Sequence, residues 1–198
     1  MLNSTNLIID IRGNTGGNAV YFTFLPLYAN QMLKGGQGHV LASEVTQKYF
    51  ERFAKRSKMY RGVVQRIKAK MGSIVDGPQY PDRKYKASKR SKIKNVAILT
   101  DNGCMSAAES FILHSKGASN KVTTFGSATA GVIDYTSVTI VKIEHSSEQK
   151  IYFGFPTSSL HKQIPQNGYN KTGIVPEVPI KSGEKDKIKF IIEYLGKK

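Results

Sequence analysis

Residues Leu7-Ile8-Ile9-Asp10-Ile11-Arg12-Gly13-Asn14-Thr15-Gly16-Gly17 set an apolar run directly against a turn-forming one. The first part, broken only by Asp10, reads as a buried strand over residues 6–11, and the glycines that follow read as its exit. A second stretch repeats the arrangement. Asn95-Val96-Ala97-Ile98-Leu99-Thr100 is a buried strand, Asp101-Asn102-Gly103 a turn, and a helical run starts at Ser106 and reaches about Ser115. Further strands are expected at 121–125, 137–143 and 150–155, and a short amphipathic helix at 187–195. Strands alternating with helices predict an α/β layered domain with a largely parallel sheet.

Between the two buried strands, residues 20–32 predict a helix interrupted at Pro26, and residues 35–38 a loop. From Glu44 the apolar residues Val45, Tyr49, Phe53, Tyr60, Val64, Ile67 and Met71 recur at helical spacing, which predicts one long amphipathic helix or two in sequence. Residues 72–94, with Gly77-Pro78, Pro81 and a basic run, show no periodicity. They are expected to form an exposed, flexible basic connection inside a single domain covering residues 1–198.

A chain of 198 residues, 39% of them hydrophobic, can bury one ordinary core. No apolar stretch is long enough to cross a bilayer, and the first residues lack the basic-then-apolar order of a secretory signal. A buried strand begins almost at Met1, so the start is expected to be a cut inside a larger protein, with an N-terminal portion missing. One cysteine, Cys104, excludes an intrachain disulfide, and the four scattered histidines have no zinc-site spacing. The net charge is +16, of which residues 48–94 supply +13: 16 Lys or Arg stand there against Glu51, Asp76 and Asp82. Charge so concentrated, with no nucleic-acid motif beside it, reads as a solvated basic face, and no specific nucleic-acid partner is expected.

Both buried strands end in turns of small residues, the place where open α/β sheets build sites. The first turn offers backbone N–H groups unobstructed by side chains, suited to a carbonyl oxygen, but equally it is a tight strand exit. In the second, Ser106 with Glu109 three residues on fits the Ser-x-x-Glu capping box. The same serine could instead point its oxygen into a cleft, beside the Ala107 N–H and the positive end of the helix. Spacing alone fits both.

Four blocks together resemble the S41 serine peptidases, the tail-specific and tricorn-core family. Residues 7–17 resemble its opening strand and glycine turn, and Val96-Ala97-Ile98-Leu99-Thr100 with Cys104-Met105-Ser106-Ala107-Ala108-Glu109 its nucleophile segment. Phe125-Gly126-Ser127-Ala128-Thr129-Ala130-Gly131 resembles a third block and Gly173-Ile174-Val175-Pro176-Glu177-Val178 the closing one. The resemblance implies a crotonase-like α/β spiral and peptide-bond hydrolysis through an acyl-enzyme on Ser106. It implies an oxyanion hole from the Ala107 N–H and a glycine N–H, Gly16 or Gly17, with Arg12 and Asn14 bracing the turn. It implies no metal or organic cofactor, extended or unfolded polypeptide as substrate, and an extracytoplasmic compartment.

The sequence departs from the family pattern at the general base. Where one branch has a lysine after the third block this chain has Val132, and the other branch takes a histidine from upstream of the first strand. Asn170 stands where that branch has a carboxylate. His114 follows Ser106 by two helical turns, and His39, His145 and His161 fall in polar loop or hairpin contexts; all four read as surface histidines, His161 the best placed of them. The base is therefore expected outside this chain, and the fragment alone is expected to be inactive. The alternatives are a catalytically silent peptide-binding domain on the same fold and, after it, a basic anion- or nucleic-acid-binding module using residues 48–94.

Overall fold

The computed structural model describes residues 4–86, 88, 91–144, 150–160 and 168–197. The elements run β1 (Asn6–Asp10), β2 (Met32–Leu33), β3 (Gln37–Leu41), α1 (Glu44–Ala54), α2 (Lys58–Ala69), β4 (Ile74–Gln79) and β5 (Arg83–Lys84). They continue with β6 (Asn95–Thr100), α3 (Ala107–Ala118), β7 (Val122–Gly126), β8 (Tyr135–Glu144), β9 (Lys150–Ser159), β10 (Val178–Pro179) and α4 (Lys187–Gly196). The chain divides into two compact units. The first comprises Met1–Lys34, Asp82–Ile133 and Tyr169–Lys198, the second Gly35–Pro81 and Asp134–Gly168.

The first unit holds a four-stranded parallel sheet in the order β1-β6-β7-β10. Its second strand is buried on both faces, which is why it reads as an unbroken apolar run rather than an alternating one. Val96 and Ile98 point to a core that includes Ala108, Phe111 and Ile112 of α3. Ala97 and Leu99 point the other way, to Phe125 and to Ile191 and Leu195 of α4. Asp186 caps α4, its carboxylate accepting from the Lys189 N–H at 2.9 Å.

The second unit is an antiparallel sheet, β4-β3-β9-β8, so the largely parallel sheet expected from the sequence describes only the first unit. The helices α1 and α2 cover one face of it, with Phe50, Val63, Val64 and Ile67 packed on Val40 and Val75. The predicted helical repeat from Glu44 is thus two helices, divided at residues 55–57. Ser43 caps the first, accepting from the Thr46 N–H at 3.2 Å.

Three local expectations are corrected. Residues 20–32 form two short 3-10 turns, Val20–Thr23 and Leu25–Leu27, followed by β2, instead of a helix. Pro26 has no N–H for an α-helical ladder, and Tyr21 and Phe22 satisfy their apolar character by stacking against Phe111, His114 and Tyr85. The loop assigned to residues 35–38 already contains the start of β3 at Gln37. Residues 74–79 of the supposed flexible connection are β4, paired with β3 and buried at Val75, Gly77 and Pro78. A Gly-Pro pair reads as a breaker, but β4 is an edge strand, where a missing ladder N–H costs nothing. Ala87, Lys89 and Arg90 of that connection lie outside the described residues.

Because β6 is packed on both faces, shortening either face should weaken the first unit. Ile98 and Leu99 are both fully buried. Ile98→Ala and Leu99→Ala are each expected to cost about 2–5 kcal/mol, measured by urea unfolding.

Candidate active site

Adjacent parallel strands end at the same edge of their sheet, so the pairing of β1 with β6 delivers the two glycine-bearing turns to one place. They are then fastened together. The Asp101 carboxylate accepts from the N–H of Gly13 at 2.9 Å and of Gly103 at 3.0 Å. The Met105 N–H donates to the Asn14 carbonyl at 3.0 Å, and the Cys104 thiol donates to the Ile11 carbonyl at 3.0 Å. Gly16 has a left-handed φ of 97° and no room for a side chain: a Cβ there would meet the Met105 carbonyl at 2.8 Å and the Ala107 nitrogen at 3.0 Å.

Ser106 stands between this contact and α3. It is exposed, and its backbone is held at φ 53°, ψ −112°, a conformation a non-glycine residue adopts only under constraint. Its N–H donates to Glu109 Oε2 at 2.9 Å. The Glu109 N–H turns back toward the Ser106 hydroxyl in the layout of a capping box, but this half falls outside ordinary hydrogen-bond geometry.

The capping box legible in the sequence is a small part of what Glu109 does. Its side chain is fully buried and accepts three further bonds: from Thr129 Oγ1 at 2.6 Å and the Gly131 N–H at 2.9 Å on Oε1, and from the Val132 N–H at 2.9 Å on Oε2. Thr129 Oγ1 in turn accepts from the Ile174 N–H at 2.8 Å. The Ser106 turn and the third block therefore meet at one carboxylate, and the closing block joins them through Thr129.

Of the two glycines singled out from the sequence, Gly16 already donates its N–H to Asn14 Oδ1 at 2.9 Å. The Gly17 N–H has no partner among the described residues, nor has that of Ala107, which begins α3 and so has no carbonyl of its own helix to reach. Asn14 braces the turn, as expected. Arg12 pairs with Asp10, Nη2 to Oδ2 at 2.7 Å and Nε to Oδ1 at 2.9 Å. Beside Gly16, Gly17 and Ala107 opens an apolar cavity of about 360 Å3, walled by Ile9, Val20, Tyr21, Phe24, Ala108 and Phe111 among others.

The histidines differ from expectation. His114 is half-buried, not a surface residue: its Nδ1 lies 2.9 Å from the Tyr21 hydroxyl and its ring stacks on Phe22. Burial, with a smaller push from Arg83, holds its imidazole below the usual range, while burial raises the Tyr21 hydroxyl. His39 is part of β3 and faces Asp76 at 3.5 Å, too long for a good hydrogen bond. His145 and His161 lie outside the described residues. Val132 is 51% exposed, and Asn170 is half-buried in the turn that precedes Gly173. Among the described residues no group of three or more His, Cys, Asp or Glu side chains could hold a metal ion, and no helix is long and apolar enough to cross a membrane.

Two measurements check this geometry. Gly16→Ala adds a Cβ to a left-handed residue pressed on backbone, and is expected to lower stability by about 1–3 kcal/mol in chemical denaturation. Cys104 is fully buried, and burial pushes its thiol up to about 11 from an ordinary 9.0. Iodoacetamide at pH 8 should therefore leave the native protein unmodified and alkylate it once unfolded. Between pH 9.0 and about 11 the unfolded chain releases this proton and the folded chain keeps it, so stability should fall as pH rises through that window.

No curated protein matches the sequence. Among solved structures, mature CPAF complexed with lactacystin is similar with a TM-score of 0.63 at 16% identity, covering 98% of this chain and 43% of that one. Mature CPAF matches with a TM-score of 0.57 at 14% identity, covering 89% of this chain and 39% of that one. A lipoprotein from Streptococcus agalactiae matches with a TM-score of 0.51 at 18% identity, covering 98% of this chain and 55% of that one. The chain thus spans between 39% and 55% of the length of these proteins. The model of peptidase family S41 matches residues 2–180, nearly the whole chain, and the protein belongs to that family.

Proposed function

We propose that this chain is the serine-bearing part of a serine endopeptidase with Ser106 as nucleophile, built on a crotonase-like spiral. One observation carries this: a serine held exposed at positive φ, at the start of a helix, with two backbone N–H groups close by that have no partner among the described residues. In the proposed reaction Ser106 Oγ attacks the scissile carbonyl carbon while a general base takes the hydroxyl proton. The oxygen becomes an oxyanion that the N–H groups of Gly17 and Ala107 receive. The C–N bond then breaks, the proton passes to the leaving amine, and water releases the acyl group from Ser106 by the same route in reverse. Gly16 acts by its shape, since its own N–H is held by Asn14.

The apolar cavity next to these amides suits an uncharged side chain of an extended polypeptide. In this proposal neither His114, which is engaged by Tyr21, nor position 132, which carries valine, serves as the base, and the base is taken to come from sequence outside the chain. That valine also favours the second reading, a silent peptide-binding domain. A serine-reactive fluorophosphonate separates them. The full-length protein should be labelled on Ser106 and the Ser106→Ala variant should not. Labelling that persists in Ser106→Ala would sink the nucleophile assignment. Tight peptide binding without labelling or turnover would establish the silent domain instead.

A further inference from the structure

We infer that Glu109 is a positioning residue that holds Ser106 and the segment 129–132 in one working geometry; this rests on Ser106 being the nucleophile. Capping a helix needs one bond from this carboxylate, the one to the Ser106 N–H. The other three come from residues 20–23 positions further along the chain and do nothing for the end of α3. Among the described residues no cation pairs with Glu109, and a buried carboxylate is costly unless donors replace its lost water; four converge on it here.

Two consequences follow from which oxygen takes which donor. The Ser106 and Val132 amides each lie 2.9 Å from the same Oε2, so their nitrogens are no more than about 6 Å apart by the triangle they form. The residue at position 132 is thereby tied to the serine turn by a single atom. The second consequence concerns strain. A serine at φ 53° is strained and persists only where its surroundings over-determine it. Gly16 packs close against one side of this turn, where a Cβ on it would reach the Ser106 Cβ at 3.0 Å, and the charge-assisted bond to Glu109 holds the other.

All four partners donate and Glu109 only accepts. This gives the role a signature that space-filling lacks. Glutamine has the same shape, but its NH2 would face at least one backbone N–H whichever way the amide is turned, since of the four partners only the Thr129 hydroxyl can switch to accepting. Glu109→Gln should therefore behave like Glu109→Ala, whereas a residue that merely fills the core would be rescued by glutamine.

The test is the fluorophosphonate labelling rate of the full-length protein, with amide hydrogen exchange as a second measurement. Glu109→Gln is expected to slow labelling at least tenfold and to raise exchange at Ser106, Gly131 and Val132 at least tenfold, leaving Ile98 and Leu99 of β6 protected. Labelling within twofold of the wild type would overturn the inference. Should Glu109→Gln fail to fold, Thr129→Val replaces it, removing one donor and the link to Ile174; several-fold slower labelling supports the role and an unchanged rate refutes it. If the wild type takes no probe at all, the nucleophile assignment falls by itself. Exchange then decides: faster exchange confined to those three amides keeps the carboxylate as the organiser of this corner, and unchanged exchange removes it.

Discussion

The parallel pairing of β1 with β6 is the constraint from which the remainder of the site descends. Its register runs from Asn6 opposite Asn95 to Asp10 opposite Leu99, so both strands finish together and their turns must share one small space. A side chain would collide with backbone at two positions in it, which explains glycine at 16 and 103, while Gly13 has open space beside it but a left-handed φ of 68°. A Cβ on Gly103 would sit 2.9 Å from the Gly13 Cα, as tight a meeting as the one at Gly16. Asp101 and the Met105 N–H then convert proximity into a fixed geometry, since each bonds across the gap between the turns. Without this pairing, Ser106 would be an ordinary helix cap.

The site's rigidity comes from burial on both sides of the sheet. Because β6 has α3 on one face and α4 on the other, the strand that leads into the Ser106 turn has no free face along which to shift. Thr100 finishes the strand with its hydroxyl donating to the Phe125 and Ser127 carbonyls, so β7 is locked at the same level. The closing block adds a further tie. Glu177 accepts from the Thr124 N–H of β7 at 3.0 Å and pairs with Lys116 of α3 at 2.5 Å. Helix, strand and closing block are thus pinned to one another around the exposed serine.

What the sequence displayed, and what it concealed, divides along physical lines. The continuous apolar run of β6 announces a strand covered on both faces and was legible for that reason, whereas β1, read as equally buried, is an edge strand whose Leu7, Ile8 and Ile9 are half-buried. The edge strand β4 was not, because Gly77-Pro78 carries the usual sign of a turn while an edge position tolerates it. At the site, the Ser106–Glu109 spacing revealed one bond of a four-bond carboxylate. The remaining donors are a hydroxyl and two backbone amides far along the chain, and backbone amides have no residue signature. Gly16's engagement could have been read: an asparagine two residues before a glycine commonly turns its side chain onto that N–H, as Asn14 does.

The small β2–β5 ladder has a consequence for how the chain reaches this state. Met32 pairs with Lys84 and Leu33 with Arg83, and Lys34 meets Asp82 at 2.9 Å. The excursion over residues 35–81 therefore leaves and returns through a clasp. Joining β1 to β6 requires closing a long loop, and the entropy of closure grows with the length that is still free. Once the clasp has formed, the whole excursion drops out of that length, and the distant strands become near neighbours along the effective chain. The clasp fixes only where the excursion begins and ends, because β3 inside it also pairs with β9, and the sheet it carries is complete only once residues 150–159 have joined it.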